Sequence, residues 1–177
     1  MNKYICILLT LITMSLLLVG CSDKTKIEEI NPGPTINEFI TKMYTVDDYT
    51  KIDIKNLNLT YPKDKYTNEL RKVTTAAALV PIVNDRTQLL YITSCTDSHI
   101  NSKVISAKID KYLSQKDGSI VYNYEAKLKY TFPDENKQTD EEVSGQVTVK
   151  MVNSKWIITQ INSTNIGNIL KKYKQKY

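Results

Sequence analysis

The sequence has little of what catalytic and metal sites are made from. Its 177 residues include a single histidine, His99, and three cysteines, Cys6, Cys21 and Cys95, with no CxxC spacing. One imidazole and so few thiols could hold a metal only with an unusual set of carboxylates, so no metal and no cofactor is expected. HExxH, GxSxG, the phosphate-binding loop and the dinucleotide fingerprint are missing as well, and no catalytic residue is assigned. Phenylalanine is scarce, two residues against 12 tyrosines. A tyrosine-rich apolar face leaves three outcomes open: a cavity rim, a partly wet interface, or a core that uses phenols by habit. Charge is near balance, with 24 basic and 19 acidic residues giving +5. No basic stretch is interleaved with aromatics over enough length for single-strand binding, so direct nucleic-acid contact is not expected.

What the chain does have is one long apolar run. Ile5 to Val19 (ICILLTLITMSLLLV) follows Lys3 and spans 15 residues, short of the roughly 20 that cross a bilayer. Its place behind a basic residue is that of an export signal. The run closes in Leu18-Val19-Gly20-Cys21, which resembles the lipobox of bacterial lipoproteins. The resemblance implies cleavage before Cys21, a diacylglyceryl group on its sulfur and further acylation of the new N-terminus. The mature chain would then have 157 residues (177 − 20) and a charge of +4 once Lys3 has left (5 − 1). Cys6 goes with the signal and Cys21 carries lipid, so Cys95 stays alone and no intramolecular disulfide forms. At about 0.8 kcal/mol per buried CH₂, two acyl chains give stable anchoring. The expected location is the extracytoplasmic face of the cell membrane. An uncleaved anchor is the alternative and puts the domain on the same side.

Residues 1–20 are thus read as signal, 21–34 as a lipidated N-terminus and polar spacer, 35–165 as the folded domain and 166–177 as a basic helix or tail. Thr35 and Glu38 have capping-box spacing, and Ile36, Phe39, Ile40, Met43 and Tyr44 form one helical stripe. A turn or cap at Asp47 or Asp48 follows. Residues 54–61 stay unassigned, Pro62 to Asp64 is a turn, and Tyr66 to Val80 is a second helix, with Tyr66, Leu70, Val73, Ala77 and either Val80 or Ala76 as its apolar positions and Pro81 blocking its continuation. Between Asn84 and His99 the pattern is ambiguous: Leu89 to Thr93 could be strand, and Cys95 to Ser98 looks like turn.

From Ser102 the period becomes two. Ile105, Ala107, Ile109 and Leu113 are read as the inward set of a first strand, with a bulge near Tyr112. Asp117-Gly118 is a hairpin signal. Ile120 to Phe132 alternates regularly over about 13 residues, or about 40 Å, with Tyr122, Tyr124 and Tyr130 inward and a largely polar outward set that begins with Val121. Pro133 to Asp140 reads as a charged loop. Glu142 to Val152 is a third strand in which Gly145 permits a bulge or bend. Asn153 to Lys155 turns into a fourth strand, Trp156 to Ile161. Ile166, Ile169, Leu170 and Tyr173 stripe a final helix whose lysines either lean on anionic lipid or keep the end soluble. The expected fold class is α+β: N-terminal helices, at 35–44 and 66–80, packed on a curved, mostly antiparallel four-stranded sheet.

This order of elements resembles the nuclear-transport-factor-2-like (cystatin-like) cone, over about Thr35 to Asn162. Together with the lipobox and a Lys- and Asn-rich composition, it is similar to cell-envelope proteins of Gram-positive bacteria, and within them to the periplasmic domain of the bitopic assembly factor of type IV secretion and conjugation systems. That family is usually held by an uncleaved transmembrane helix, whereas this chain has a lipobox. The resemblance implies a non-enzymatic, lipid-anchored scaffold of a DNA-transfer machine, whose partners are membrane lipid through Cys21 and other envelope or transfer-channel proteins, with weak self-association. The alternative is a small-ligand-binding lipoprotein or isomerase-like enzyme that uses the cone's cavity. For that chemistry Asp47 or Asp48 is the candidate base with Tyr49 beside it, the opposing reading being helix capping and a packed tyrosine. Cys95 and His99, four apart, could be proposed as a thiol–imidazole pair, against which a buried apolar cysteine is the plainer expectation.

Overall fold

The computed structural model describes residues 31–52, 65–84, 87–163 and 165–174. The signal, Cys21, most of the spacer, the 54–61 segment and the Pro62 turn lie outside the described residues. The compact unit Pro32–Tyr177 contains helix α1 (Gly33–Tyr44), a 3₁₀ turn (Tyr49–Lys51), α2 (Lys65–Leu70), α3 (Ala76–Asn84) and α4 (Thr87–Asp97). Strands β1 (Asn101–Ser114), β2 (Ile120–Phe132), β3 (Lys137–Val152) and β4 (Lys155–Ser163) follow, and α5 (Ile166–Lys174) ends the fold. The strands form one antiparallel sheet in the order β1-β2-β3-β4. β4 does not pair back to β1 among the described residues, so the sheet is open and not curled into the closed cone that the resemblance implied.

Helix α1 buries the expected stripe completely: Ile36, Phe39, Ile40, Met43 and Tyr44 are all at most 2% exposed. Five such side chains at about 1.5–3 kcal/mol each make this face worth on the order of 10 kcal/mol in gross burial. The capping box does not form. Pro32 holds the N-cap position in place of Thr35, and the Thr35 hydroxyl donates instead to the Trp156 carbonyl at 3.5 Å.

The expected helix at 66–80 is two helices. Thr74 bridges to Ile158 of β4, and Thr75 starts α3 afresh, its hydroxyl accepting from the Ala78 N–H at 3.2 Å. A threonine at the N-cap offers the backbone this alternative to continuing a helix. Consequently Ala78, Leu79 and Ile82 face inward, while Ala77 and Val80 are exposed. Pro81 lies inside α3 rather than ending it. Ala77, whose carbonyl would have received the missing N–H, is exposed, so water can reach it. Residues 87–97 are helix, not strand and turn: Tyr91, Ile92 and Cys95 are buried along one side of α4. α4 ends in a Schellman motif, Ile100 N–H to Cys95 carbonyl at 2.7 Å and His99 N–H to Thr96 carbonyl at 3.1 Å.

In β1 two bulges break the alternation, at Ile105 and at Tyr112. The second was expected. The first was not, and with both present Ile105 and Leu113 are exposed, while Val104, Ala107 and Ile109 pack against the core. β2 follows its pattern, with Tyr124, Ala126, Leu128, Tyr130 and Phe132 buried. Val121 departs from the polar outward set, being only 5% exposed. The charged loop shrinks to a 3₁₀ turn at Pro133–Glu135 and left-handed Asn136 (φ 48°), so β3 starts at Lys137, its first residues paired with Lys129 to Phe132.

Gly145 makes no bulge, since the β2–β3 register runs unbroken past it. A Cβ there would collide with the Tyr124 ring and hydroxyl and with the Asn162 carbonyl. The missing side chain is the space that Tyr124 occupies. The irregularity lies on β4, between the pairs Thr148–Gln160 and Val149–Ile158. The helices at 35–44 and 66–80 do not cover the sheet by themselves. α4 and α5 share the task, Ile166, Ile169 and Tyr173 being buried.

Candidate functional site

Among the described residues, the space between helices and sheet is occupied by tyrosines. Tyr44, Tyr91, Tyr124 and Tyr130 are each at most 2% exposed. The Tyr44 and Tyr124 hydroxyls share a hydrogen bond of 2.8 Å. The Tyr91 hydroxyl bonds Ser102 Oγ at 2.6 Å, and that hydroxyl in turn donates to the Tyr44 carbonyl at 2.8 Å. Buried phenols thus have their polar ends satisfied internally, and burial pushes the Tyr91 hydroxyl well above its ordinary pKa. A small pocket bounded by Ser94, Cys95, Ile100, Tyr130, Ile169 and Tyr173 measures about 10 Å³, room for one water at most.

The candidate acids and bases stand at one end of the sheet. Asp48 caps the 3₁₀ turn, accepting from the Thr50 N–H at 3.1 Å and the Thr50 hydroxyl at 2.6 Å, and pairs with Lys51 at 3.0 Å. The Thr50 hydroxyl, then Lys51, hold its carboxyl below the usual range. A general base needs the opposite shift. Asp47 is exposed and walls a groove of about 230 Å³ with Val46, Asn101, Ser102, Lys103, Lys129 and Thr131.

Tyr49 and His99 do meet. Their rings stack at 5.1 Å and 10°, the His99 Nδ1 lies 2.5 Å from Asp134 Oδ2, and the Tyr49 hydroxyl donates to the same carboxylate at 3.3–3.4 Å. The Tyr49 N–H donates to Asn101 Oδ1 at 2.9 Å. His99 takes the left-handed conformation, φ 53°, at the position where a helix usually ends in glycine. Asp134 and Asn101 were not candidates from the sequence: Asp134 sits 35 residues from His99 in a stretch that reads as a charged loop, and no spacing pattern marks it. The cluster orients an imidazole between a carboxylate and a phenol, with side chains of His99 and Asp134 55% and 59% exposed. At that exposure an ion pair contributes little, and what it does is tie three turns together.

Cys95 is not its nucleophile. The thiol is 3% exposed on α4, and burial pushes it up to about 12, so it stays protonated and inert. Among the described residues no group of three or more His, Cys, Asp or Glu could hold a metal, and no helix is long and apolar enough to cross a membrane.

No family model matches the chain, and no curated protein does. Among solved structures, similarity is distant. A periplasmic fragment of TraM aligns at 10% identity and TM-score 0.46, over 74% of this chain and 93% of that one. The intermembrane space region of the chloroplast protein ARC6 aligns at 14% and 0.39, over 74% and 96%. TraH from the Gram-positive conjugative plasmid pIP501 aligns at 17% and 0.44, over 74% and 89%.

Proposed function

We propose that this chain is a lipid-anchored, non-enzymatic scaffold of a cell-envelope assembly, with DNA transfer as its process. In this reading Cys21 is acylated, 21–34 spaces the domain from the extracytoplasmic face of the membrane, and a nuclear-transport-factor-2-like domain works through its surface. The observation that supports it is the packing of the interior among the described residues: Tyr44, Tyr91, Tyr124 and Tyr130 are buried, and the Tyr44 and Tyr124 hydroxyls bond each other. Asp48 is engaged in capping the 3₁₀ turn, which leaves Asp47, on the wall of the exposed groove, as the base that the isomerase-like alternative would have to use. The lipobox residues Leu18 to Cys21 support the anchor, and the sequence resemblance to the bitopic assembly factor supports the process. Partners are therefore membrane lipid and envelope proteins, reached through contacts that tethering strengthens by raising effective concentration.

Crosslinking in intact cells, followed by identification of the captured proteins, tests this. Transfer-channel proteins captured by the full-length chain support the scaffold. Capture of cell-wall precursors or nutrients only would return the small-ligand reading.

A further inference from the structure

The two edges of the sheet are not alike. At β4 the backbone of Ile158 is engaged by the 73–75 segment, Ile158 N–H to Val73 carbonyl at 2.9 Å and Thr75 N–H to Ile158 carbonyl at 2.9 Å. At β1, Val46 pairs with Ser102, and from Lys103 to Ser114 no described strand lies alongside the outer edge. An edge of this length presents unpaired N–H and C=O groups to another strand. Three of the exposed large apolar residues, Ile105, Tyr112 and Leu113, lie on it, at 53%, 64% and 51% exposure.

We propose that the β1 edge pairs with β1 of a second copy, antiparallel about a two-fold axis at Ile109. The charges select that register. A two-fold axis perpendicular to the sheet keeps inward residues inward, so each residue must face one of its own parity across the axis. Centring on Lys108 sets lysine against lysine, and centring on Asp110 sets aspartate against aspartate, both unfavourable. Centring on Ile109 sets Lys108 against the partner's Asp110 and, by symmetry, Asp110 against the partner's Lys108. In the single copy Lys108 and Asp110 pair with each other at 2.8 Å, with side chains 69% and 60% exposed, so both charges are available for exchange.

The bulges at Ile105 and Tyr112 bracket a regular stretch, Ser106 to Lys111, and confine the pairing to it. The result is a weak dimer. It closes at two copies because the contact is isologous and the β4 edge is engaged at its middle. The inference stands on the edge itself and is independent of the DNA-transfer reading.

Sedimentation equilibrium of the full chain in density-matched detergent micelles at low ionic strength tests it. Wild type associates reversibly to dimers. K108D and D110K, exposed changes that leave the circular dichroism spectrum intact, each turn two attractions into two repulsions and weaken dimerisation by about tenfold or more. K108D/D110K restores it, and an equimolar mixture of the two single variants forms heterodimers. A monomeric wild type, single variants that dimerise like wild type, or a double variant as weak as the singles would each overturn the proposal.

Discussion

Replacing Gly145 by alanine probes the contact on which the filled interior depends. The new Cβ would stand 2.6 Å from the Tyr124 ring carbon that carries the hydroxyl and 2.8 Å from the Asn162 carbonyl oxygen. The carbonyl is backbone and Tyr124 is 1% exposed among packed neighbours, so neither moves freely. Overpacking of this kind costs about 1–3 kcal/mol. Displacing Tyr124 also pulls its hydroxyl from Tyr44, a hydrogen bond worth about 0.5–1.5 kcal/mol. The expected loss is about 1.5–4.5 kcal/mol, a large part of the 5–15 kcal/mol typical of a domain. Urea unfolding of a fragment starting at Ser22 measures it as a lower midpoint at unchanged slope, by about 1–2 M. In a Tyr44→Phe, Tyr124→Phe background both hydroxyls are gone, and the cost of Gly145→Ala falls by about 1 kcal/mol or more. A midpoint shift below about 0.3 M in the wild-type background would refute the reasoning, because Tyr124 would then not fill the space at Gly145.

Cys95, with its thiol raised to about 12, resists iodoacetamide in the native state at pH 8 and reacts at once in urea. Above pH 9 the unfolded chain releases this proton while the native chain keeps it, so stability falls as pH rises from 9 toward 12. Rapid native alkylation would contradict the burial. Glu69 is lowered to about 2 by Lys42 and then Lys72, each 2.5 Å away. The unfolded chain binds this proton first, so the stabilisation is present above pH 4.5 and is lost as pH falls through 2. Glu69→Gln flattens the stability curve in that window, and an unchanged acid limb would show the pairs to be inconsequential.

Legibility followed the reach of each signal. The α1 stripe and the β2 alternation are long and local; α1 is buried as read, and β2 is so from Tyr124 to Phe132, while Ile120 and Tyr122 are only partly buried and Val121 is buried against the pattern. The Asp117-Gly118 hairpin formed, with Gly118 at φ 81° and Asp117 accepting from the Ser119 N–H at 3.0 Å. The Thr74–Thr75 break was hidden because the helix formers Glu69 to Lys72 before it and the alanines Ala76 to Ala78 after it read as uninterrupted helix, and only the bridge to Ile158 makes the threonines a start signal. α4 has weak periodicity, and its buried side became visible only through contact with α1 and α5. Gly145 was noticed, yet its meaning depends on Tyr124, 21 residues away and opposite it only once the register is set. At the sheet's end, Asp48 as a cap was readable from its place before the 3₁₀ turn. Asp134 was not, since the fold alone brings Pro133–Glu135 beside the turn after α4.

DNA-transfer frequency from donor cells lacking this chain, complemented with wild type, Cys21→Ser, or a combined Asp47→Asn, Asp48→Asn, His99→Ala variant, tests the central claim most directly. An anchored scaffold predicts normal growth and loss of transfer in the deletion, restoration by wild type and by the combined variant, and failure of Cys21→Ser. Full transfer from the deletion strain, or a combined variant that folds and anchors normally yet fails to restore transfer, would contradict it.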